Sequence, residues 1–239
     1  MLKIKVFVGL FFLFSSLFYV VENVLLGTPK AEETTIARIE IPATTTLSHD
    51  EDLLRKSSSK FFEESLVRTR FNGAILVAHN GKIVFEAYEG LKEVLKGDPI
   101  DSTTSFHLAS VSKTFTAMAV LKLWEDGKLN IDDKVDRYLT GFPFNQITIR
   151  NLLSHRSGLP NYVYFAEQVG WNTRNYLHNN DMLKLLVNHR SKLRIGKPNA
   201  YFDYCNTNYA LLALIIEKVS GKSYAAFMDQ TFFSPIGMS

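Results

Sequence analysis

The apolar pattern changes character four times along this chain. After Met1-Leu2-Lys3-Ile4-Lys5 comes an uncharged run from Val6 to Val21, closed by Glu22. A basic start followed by a short apolar core reads as a secretory signal, and its length also lies near the lower limit for spanning a bilayer. No A-x-A-like site follows, and no lipobox cysteine is present. Residues 1–27 are therefore expected to be a signal peptide or an uncleaved N-terminal membrane anchor. The protein is then exported, periplasmic or at the cell surface, with the membrane as a partner through this segment. A Thr/Glu-rich stretch with little periodicity makes residues 28–49 a linker.

From Asp50 to about Arg68 the spacing becomes helical, with Leu54, Phe61, Phe62 and Leu66 on one apolar face. Two β-rich runs then flank Asn80-Gly81, the dipeptide that best suits a tight hairpin turn. Beyond the hairpin the pattern is mostly helical. Ser110–Glu125 is apolar nearly all round (Val111, Phe115, Met118, Val120, Leu121, Leu123, Trp124), which predicts a buried helix stopped at Asp126-Gly127. Further helices are predicted at Met182–His189, Tyr209–Val219 and Ser223–Phe232, with Gly221 separating the last two. Residues 50–239 thus read as one domain, a hairpin followed by a large helical region.

Composition narrows the classes. With 46% hydrophobic and 21% charged residues the chain has a globular balance. A net charge of +3 without a basic block excludes nucleic acid as an expected partner. The single cysteine, Cys205, excludes an intramolecular disulfide, and the six histidines show no metal-ligand spacing, so neither metal nor cofactor is expected.

The chemistry rests on Ser110 and Lys113. Three apart on a helix, their Cβ atoms lie about 5–6 Å from each other on one face. That is a nucleophile with its own base. A chain of this length should hold on the order of one S-x-x-K by composition alone, and this one holds a second at Ser57–Lys60. Magnitudes separate them. A free lysine titrates near 10.4, so a base useful near pH 7 needs a shift of about 3 units, or about 4–5 kcal/mol. A helix N-terminus contributes only about 0.3–1 kcal/mol, whereas burial can supply roughly 3–5 units. Lys113 belongs to a strongly apolar helix and Lys60 to a solvated face. Ser110 gains further from a backbone N–H that a helix start leaves available to an oxyanion.

The run Pro198-Asn-Ala-Tyr-Phe-Asp-Tyr-Cys-Asn206 supplies an opposite wall. In an extended stretch Tyr204 and Asn206 point to one side. A tyrosine beside a cationic lysine can relay a proton, and an asparagine amide can both donate to and accept from an acyl substrate.

With these stretches in place, the chain resembles the class C β-lactamase-related serine hydrolases: β-lactamases, D-alanyl-D-alanine carboxypeptidases, D-aminopeptidases and esterases. The likeness lies in F-N-G-A-I-L-V-A-H-N-G-K-I-V, F-H-L-A-S-V-S-K-T-F-T-A, I-T-I-R-N-L-L-S-H-R-S-G-L, Y-F-D-Y-C-N-T-N-Y-A-L-L and F-F-S-P-I-G-M, in family order from about residue 60. It implies Ser110 as the acylated nucleophile, Lys113 as its base partner, Tyr204 as the assisting acid/base and Asn206 as a substrate-binding group. It also implies an α+β, β-lactamase/DD-peptidase-like fold, an antiparallel sheet flanked by helices beside a helical lobe. The expected substrate is a small molecule or peptide with an ester, amide or lactam bond, of cell-envelope, peptidoglycan or β-lactam type.

Two departures qualify the likeness. Cys205 stands in the middle of the Y-x-N and reads as a small buried side chain. The family's third motif, K-T-G or H-x-G, has no counterpart, and His155-Arg-Ser-Gly158 reads as structural. The chain is therefore expected to be an N-terminal portion of the enzyme with the C-terminal strands missing. The alternative is a non-catalytic, membrane-tethered remnant or binding module of the same fold. A Ser-His-Asp hydrolase using His107 or His155 is disfavoured, because no G-x-S-x-G elbow surrounds any serine. Oligomeric state is left open by the sequence.

Overall fold

The computed structural model describes residues 46–238, in two compact units, 46–106 and 107–238. The expected signal or anchor at 1–27 and nearly all of the linker lie outside the described residues. Among the described residues no helix is long and apolar enough to cross a membrane.

In the first unit Ser48 caps helix α1 (His49–Phe61) through a capping box. The Glu51 N–H donates to Ser48 Oγ at 3.3 Å, and the Ser48 N–H returns a bond to Glu51 Oε2 at 2.7 Å. The helix thus begins just before residue 50. Strands β1 (Gly73–His79) and β2 (Lys82–Glu89) pair antiparallel around Asn80-Gly81. Both turn residues have positive φ, 50° and 76°, as a type I′ turn demands. Helix α1 packs on this hairpin. The buried Glu51 carboxylate receives Lys82 Nζ at 3.4 Å, which ties the helix start to the hairpin end. Two short strands, β3 (Leu91–Glu93) and β4 (Asp98–Pro99), form a second antiparallel pair.

The apolar face of α1 differs from expectation. Phe62 is buried, stacked edge-on against Phe71 and Phe85, while Phe61 is 52% exposed. Leu54, Ser58 and Phe62 follow the i, i+4, i+8 line, and Phe61 lies a further 100° round the helix.

In the second unit a 3₁₀ turn at Ala109–Val111 leads into α2 (Ser112–Glu125). Then follow α3 (Ile149–Leu153), α4 (Tyr162–Gln168), α5 (Asn179–Asn188), α6 (Asn206–Ser220) and α7 (Tyr224–Met228). Helix α6 is the hub: α2, α3, α4, α5 and α7 all pack on it. It buries Thr207, Asn208 and every residue from Leu211 to Ile216, as an all-round apolar sequence requires. Gly221, at φ 70°, ends it in the left-handed conformation.

Helix α2 is less buried than its composition predicts. Thr116, Ala119, Val120 and Leu123 are covered, whereas Val111, Met118, Leu121 and Trp124 are exposed. Its buried stripe faces α6, and the Thr116 hydroxyl meets that of Tyr224 on α7 at 2.7 Å, so the cover lies on one side of the helix. Helices α5 and α6 each begin earlier than predicted. Their first turns are polar (Asn179-Asn180-Asp181 and Asn206-Thr207-Asn208), so apolar periodicity does not register them.

Candidate active site

Ser110 stands in the 3₁₀ turn before α2, exposed, with Lys113 one turn later and half-buried. The residue before it, Ala109, has φ 47°. A non-glycine residue in the left-handed region stores about 1–2 kcal/mol of strain, and such strain gathers where surrounding structure holds a functional group in place. Among the described residues no acceptor takes the N–H of Ser110 itself. The other S-x-x-K behaves as a solvated helix face: Ser57 donates back to the Leu53 carbonyl at 2.9 Å, and Lys60 is exposed.

Two groups converge on Ser110 Oγ. Lys113 Nζ donates to it at 3.1 Å, and the Tyr204 hydroxyl, from a segment 94 residues away, donates at 2.6 Å. Lys113 Nζ also lies 5.0 Å from the centre of the Tyr204 ring and 5.8 Å from that of Tyr209. Burial opposes ionisation of the Tyr204 phenol. Hydrogen bonding from Lys113 and Ser110 and the charge of Lys113 outweigh it, and its pKa falls below the ordinary phenol value.

Asn206 is placed differently from expectation. The extended segment ends at Cys205 (φ −140°, ψ 118°), and Asn206 is already the first residue of α6. Its side chain is half-buried and makes no hydrogen bond among the described residues. Cys205 is buried, as its reading as a small packing side chain requires, and its thiol donates to the Leu159 carbonyl at 3.4 Å.

The loop after α3 does more than sequence reasoning allowed. Together with the last residue of α3 it holds both the Tyr204 segment and the first turn of α6. The Asp203 N–H donates to the His155 carbonyl at 2.8 Å, and the Cys205 N–H to His155 Nδ1 at 3.1 Å. The Thr207 hydroxyl donates to the Pro160 carbonyl at 2.7 Å, and that of Tyr209 to the Leu153 carbonyl at 3.1 Å. Ser157 donates to Asn208 Oδ1 at 2.6 Å. The loop is braced in turn at Gly158, where φ is 73° and the Gly196 carbonyl passes 2.4 Å from where a Cβ would stand. The His155 ring lies 4.6 Å from that of Tyr204 and 5.0 Å from that of Tyr209. Desolvation, then the nearby charge of Lys113, lowers the His155 pKa, against the raising effect of Asp203. The H-R-S-G sequence carried a hint of this, but the partners are about fifty residues away.

Comparison with known proteins places these residues in context. The family model described as Beta-lactamase matches residues 59–239. Penicillin-binding protein 4* of Bacillus subtilis (strain 168) is 41% identical over 187 residues, covering 77% of this chain and 41% of that protein. Protein flp of Staphylococcus aureus (strain N315) is 33% identical over 187 residues, 75% of this chain and 36% of that protein. Among solved structures, the octameric penicillin-binding protein homologue from Pyrococcus abyssi superposes with a TM-score of 0.64 at 30% identity, over 77% of this chain and 43% of that one. The chain spans less than half the length of these curated relatives.

Proposed function

Since the chain belongs to the Beta-lactamase family, whose model matches residues 59–239, we propose that it is a serine hydrolase acting through an acyl-Ser110 intermediate. The observation that carries this reading is the convergence of Lys113 and Tyr204 on one oxygen, Ser110 Oγ, at 3.1 Å and 2.6 Å. Both are within the reach a proton transfer needs.

In the proposed step Ser110 Oγ attacks the carbonyl carbon of an ester, amide or lactam. The serine proton passes to the Lys113–Tyr204 pair, with Lys113 as base partner, and Tyr204 delivers it to the leaving oxygen or nitrogen as the acyl bond breaks. The charge of Lys113 favours the phenolate that can take the proton, which is the direction of the Tyr204 shift. The Ser110 N–H, without an acceptor among the described residues, is available to the developing oxyanion. Water attacking the acyl carbon by the reverse relay would release the product. Asn206, at the start of α6, is assigned to the substrate's amide or ester. Penicillin-binding proteins among the relatives favour a cell-envelope substrate of peptide or β-lactam type. The basic-then-apolar N-terminal run supports export.

Labelling with a fluorophosphonate or a fluorescent penicillin tests the reading. Attachment should occur at Ser110 and vanish in Ser110→Ala. Lys113→Ala and Tyr204→Phe should each slow it by about 10²–10⁴-fold. Equal labelling of Ser110→Ala would sink the assignment. A folded chain that takes no label but binds cell-wall fragments would favour a non-catalytic binding module.

A further inference from the structure

We propose that His155 is a positioning residue of the Ser110 site, a neutral imidazole whose bare Nδ1 receives the Cys205 N–H and thereby holds the Tyr204 phenol on Ser110. The proposal rests on the reading of Ser110 as the acylated nucleophile, but its geometry stands apart from that reading.

Nδ1 faces two donors, the Cys205 N–H at 3.1 Å and the Asn208 amide nitrogen at 3.2 Å. The Cys205 backbone N–H can only donate, so Nδ1 must offer a lone pair to it, and the Asn208 amide, whose oxygen accepts the Ser157 hydroxyl at 2.6 Å, then turns its NH₂ to the same nitrogen. Two donors converging on one ring nitrogen require a lone pair there, so the ring proton belongs on Nε2. The bond fixes the peptide unit joining Tyr204 to Cys205. A second bond, from the Asp203 N–H to the His155 carbonyl at 2.8 Å, fixes the peptide unit joining Phe202 to Asp203, one residue before Tyr204. The backbone on both sides of the phenol-bearing residue is thus held by a single residue. The imidazole also lies against the Tyr204 ring at 4.6 Å, tilted by 37°. His155 itself is buried and has φ 54°, so its position is held by its surroundings and not by local preference.

The charged and titratable groups facing the ring are Lys113 from α2, Asp203, Tyr204 and Cys205 from the extended segment, and Tyr209 from α6. Desolvation and Lys113 oppose the imidazolium, and Asp203 favours it. Protonation would turn Nδ1 into a third donor aimed at two others. The Cys205 N–H would lose its acceptor and Tyr204 its place on Ser110.

The test uses the full chain, three variants and two kinds of readout. Nitrogen-15 histidine NMR, assigned with His155→Asn, should show a bare Nδ1 and a protonated Nε2 at neutral pH. Carbon-13 labelling of the tyrosine ζ position, assigned with Tyr204→Phe, reports the phenol's surroundings. His155→Leu removes the acceptor and should move the Tyr204 signal. It should also slow fluorophosphonate labelling of Ser110 by on the order of 10²-fold, the usual penalty for a misplaced group. His155→Asn tolerates positive φ and puts an acceptor oxygen near the Nδ1 position, so it should recover most of both. Circular dichroism checks that each variant folds. A protonated Nδ1, or an unmoved Tyr204 signal in folded His155→Leu, overturns the proposal, as does a failure of His155→Asn to recover. Absence of labelling in the unaltered chain would instead defeat the nucleophile assignment, and the two NMR readouts would still decide the role of His155.

Discussion

Ala109 and Tyr204 set what Ser110 can do, one through its backbone and one through its hydroxyl. Ala109 sits at φ 47°, where a methyl group is tolerated and a branched side chain is not. Ala109→Val should therefore lower stability by about 1–3 kcal/mol, read as a urea midpoint, and should displace Ser110. Ala109→Gly should change stability by less than about 1 kcal/mol, because relief of strain is offset by greater freedom of the unfolded chain. Tyr204 makes a pH prediction. Its phenol titrates below the ordinary value of about 10, and of the two forms of Tyr204 only the phenolate can take up a proton from Ser110. The rate of Ser110 labelling should therefore rise with pH and level off below about pH 10, and this limb should disappear in Tyr204→Phe. A profile unchanged by that substitution would remove Tyr204 from the relay.

Helix α6 carries both the core and one wall of the site, so damage to its packing should reach the chemistry. Ile215 is fully buried there, and Ile215→Ala should cost about 2–5 kcal/mol in a denaturant titration. Gly158→Ala should cost more than its single methyl suggests, since positive φ adds to a backbone clash with Gly196. Its signature should be slower labelling of Ser110 as well as lower stability, because the loop it braces holds the Tyr204 segment. Much of this scale was readable beforehand. Asn80-Gly81 announced the hairpin, all-round apolarity announced α6, and Gly221 announced its end. Helix α4 went unseen: its signal is the Asn161 side chain accepting the Val163 N–H at 3.3 Å, a cap ahead of only seven residues. Ser110, Lys113 and Tyr204 were legible because each belongs to a short motif. The contribution of His155 was not, since it lies in bonds between positions about fifty apart that leave no local periodicity.

Across the whole molecule the two units should respond differently to acid. In the second, His155 has a folded pKa depressed below its unfolded value of about 6.5. The unfolded chain then binds the extra proton first, so stability is full above about pH 6.5 and falls as pH drops below it. In the first unit the Asp101 carboxylate accepts bonds from the Thr103 hydroxyl, the Thr103 N–H and the Thr104 hydroxyl, and its pKa is drawn down to about 2. Its contribution is full above about pH 4 and is lost between there and about pH 2. Both tryptophans, Trp124 and Trp171, lie in the second unit, so indole fluorescence reports that unit alone. Its melting temperature should decline between pH 7 and pH 5, and His155→Asn should flatten that decline. An equal decline in the variant would trace the acid sensitivity to another group.

The same molecule carries a built-in clock. Cys205, its single thiol, is buried between Tyr204 and Asn206, and burial raises its pKa. A colorimetric thiol reagent can reach it only when the Tyr204 segment lifts from the loop. The rate of colour development therefore follows how often such excursions occur, with no catalytic turnover required. Set beside the rate of global unfolding, it tells whether the motif opens by itself or only when the surrounding helices come apart.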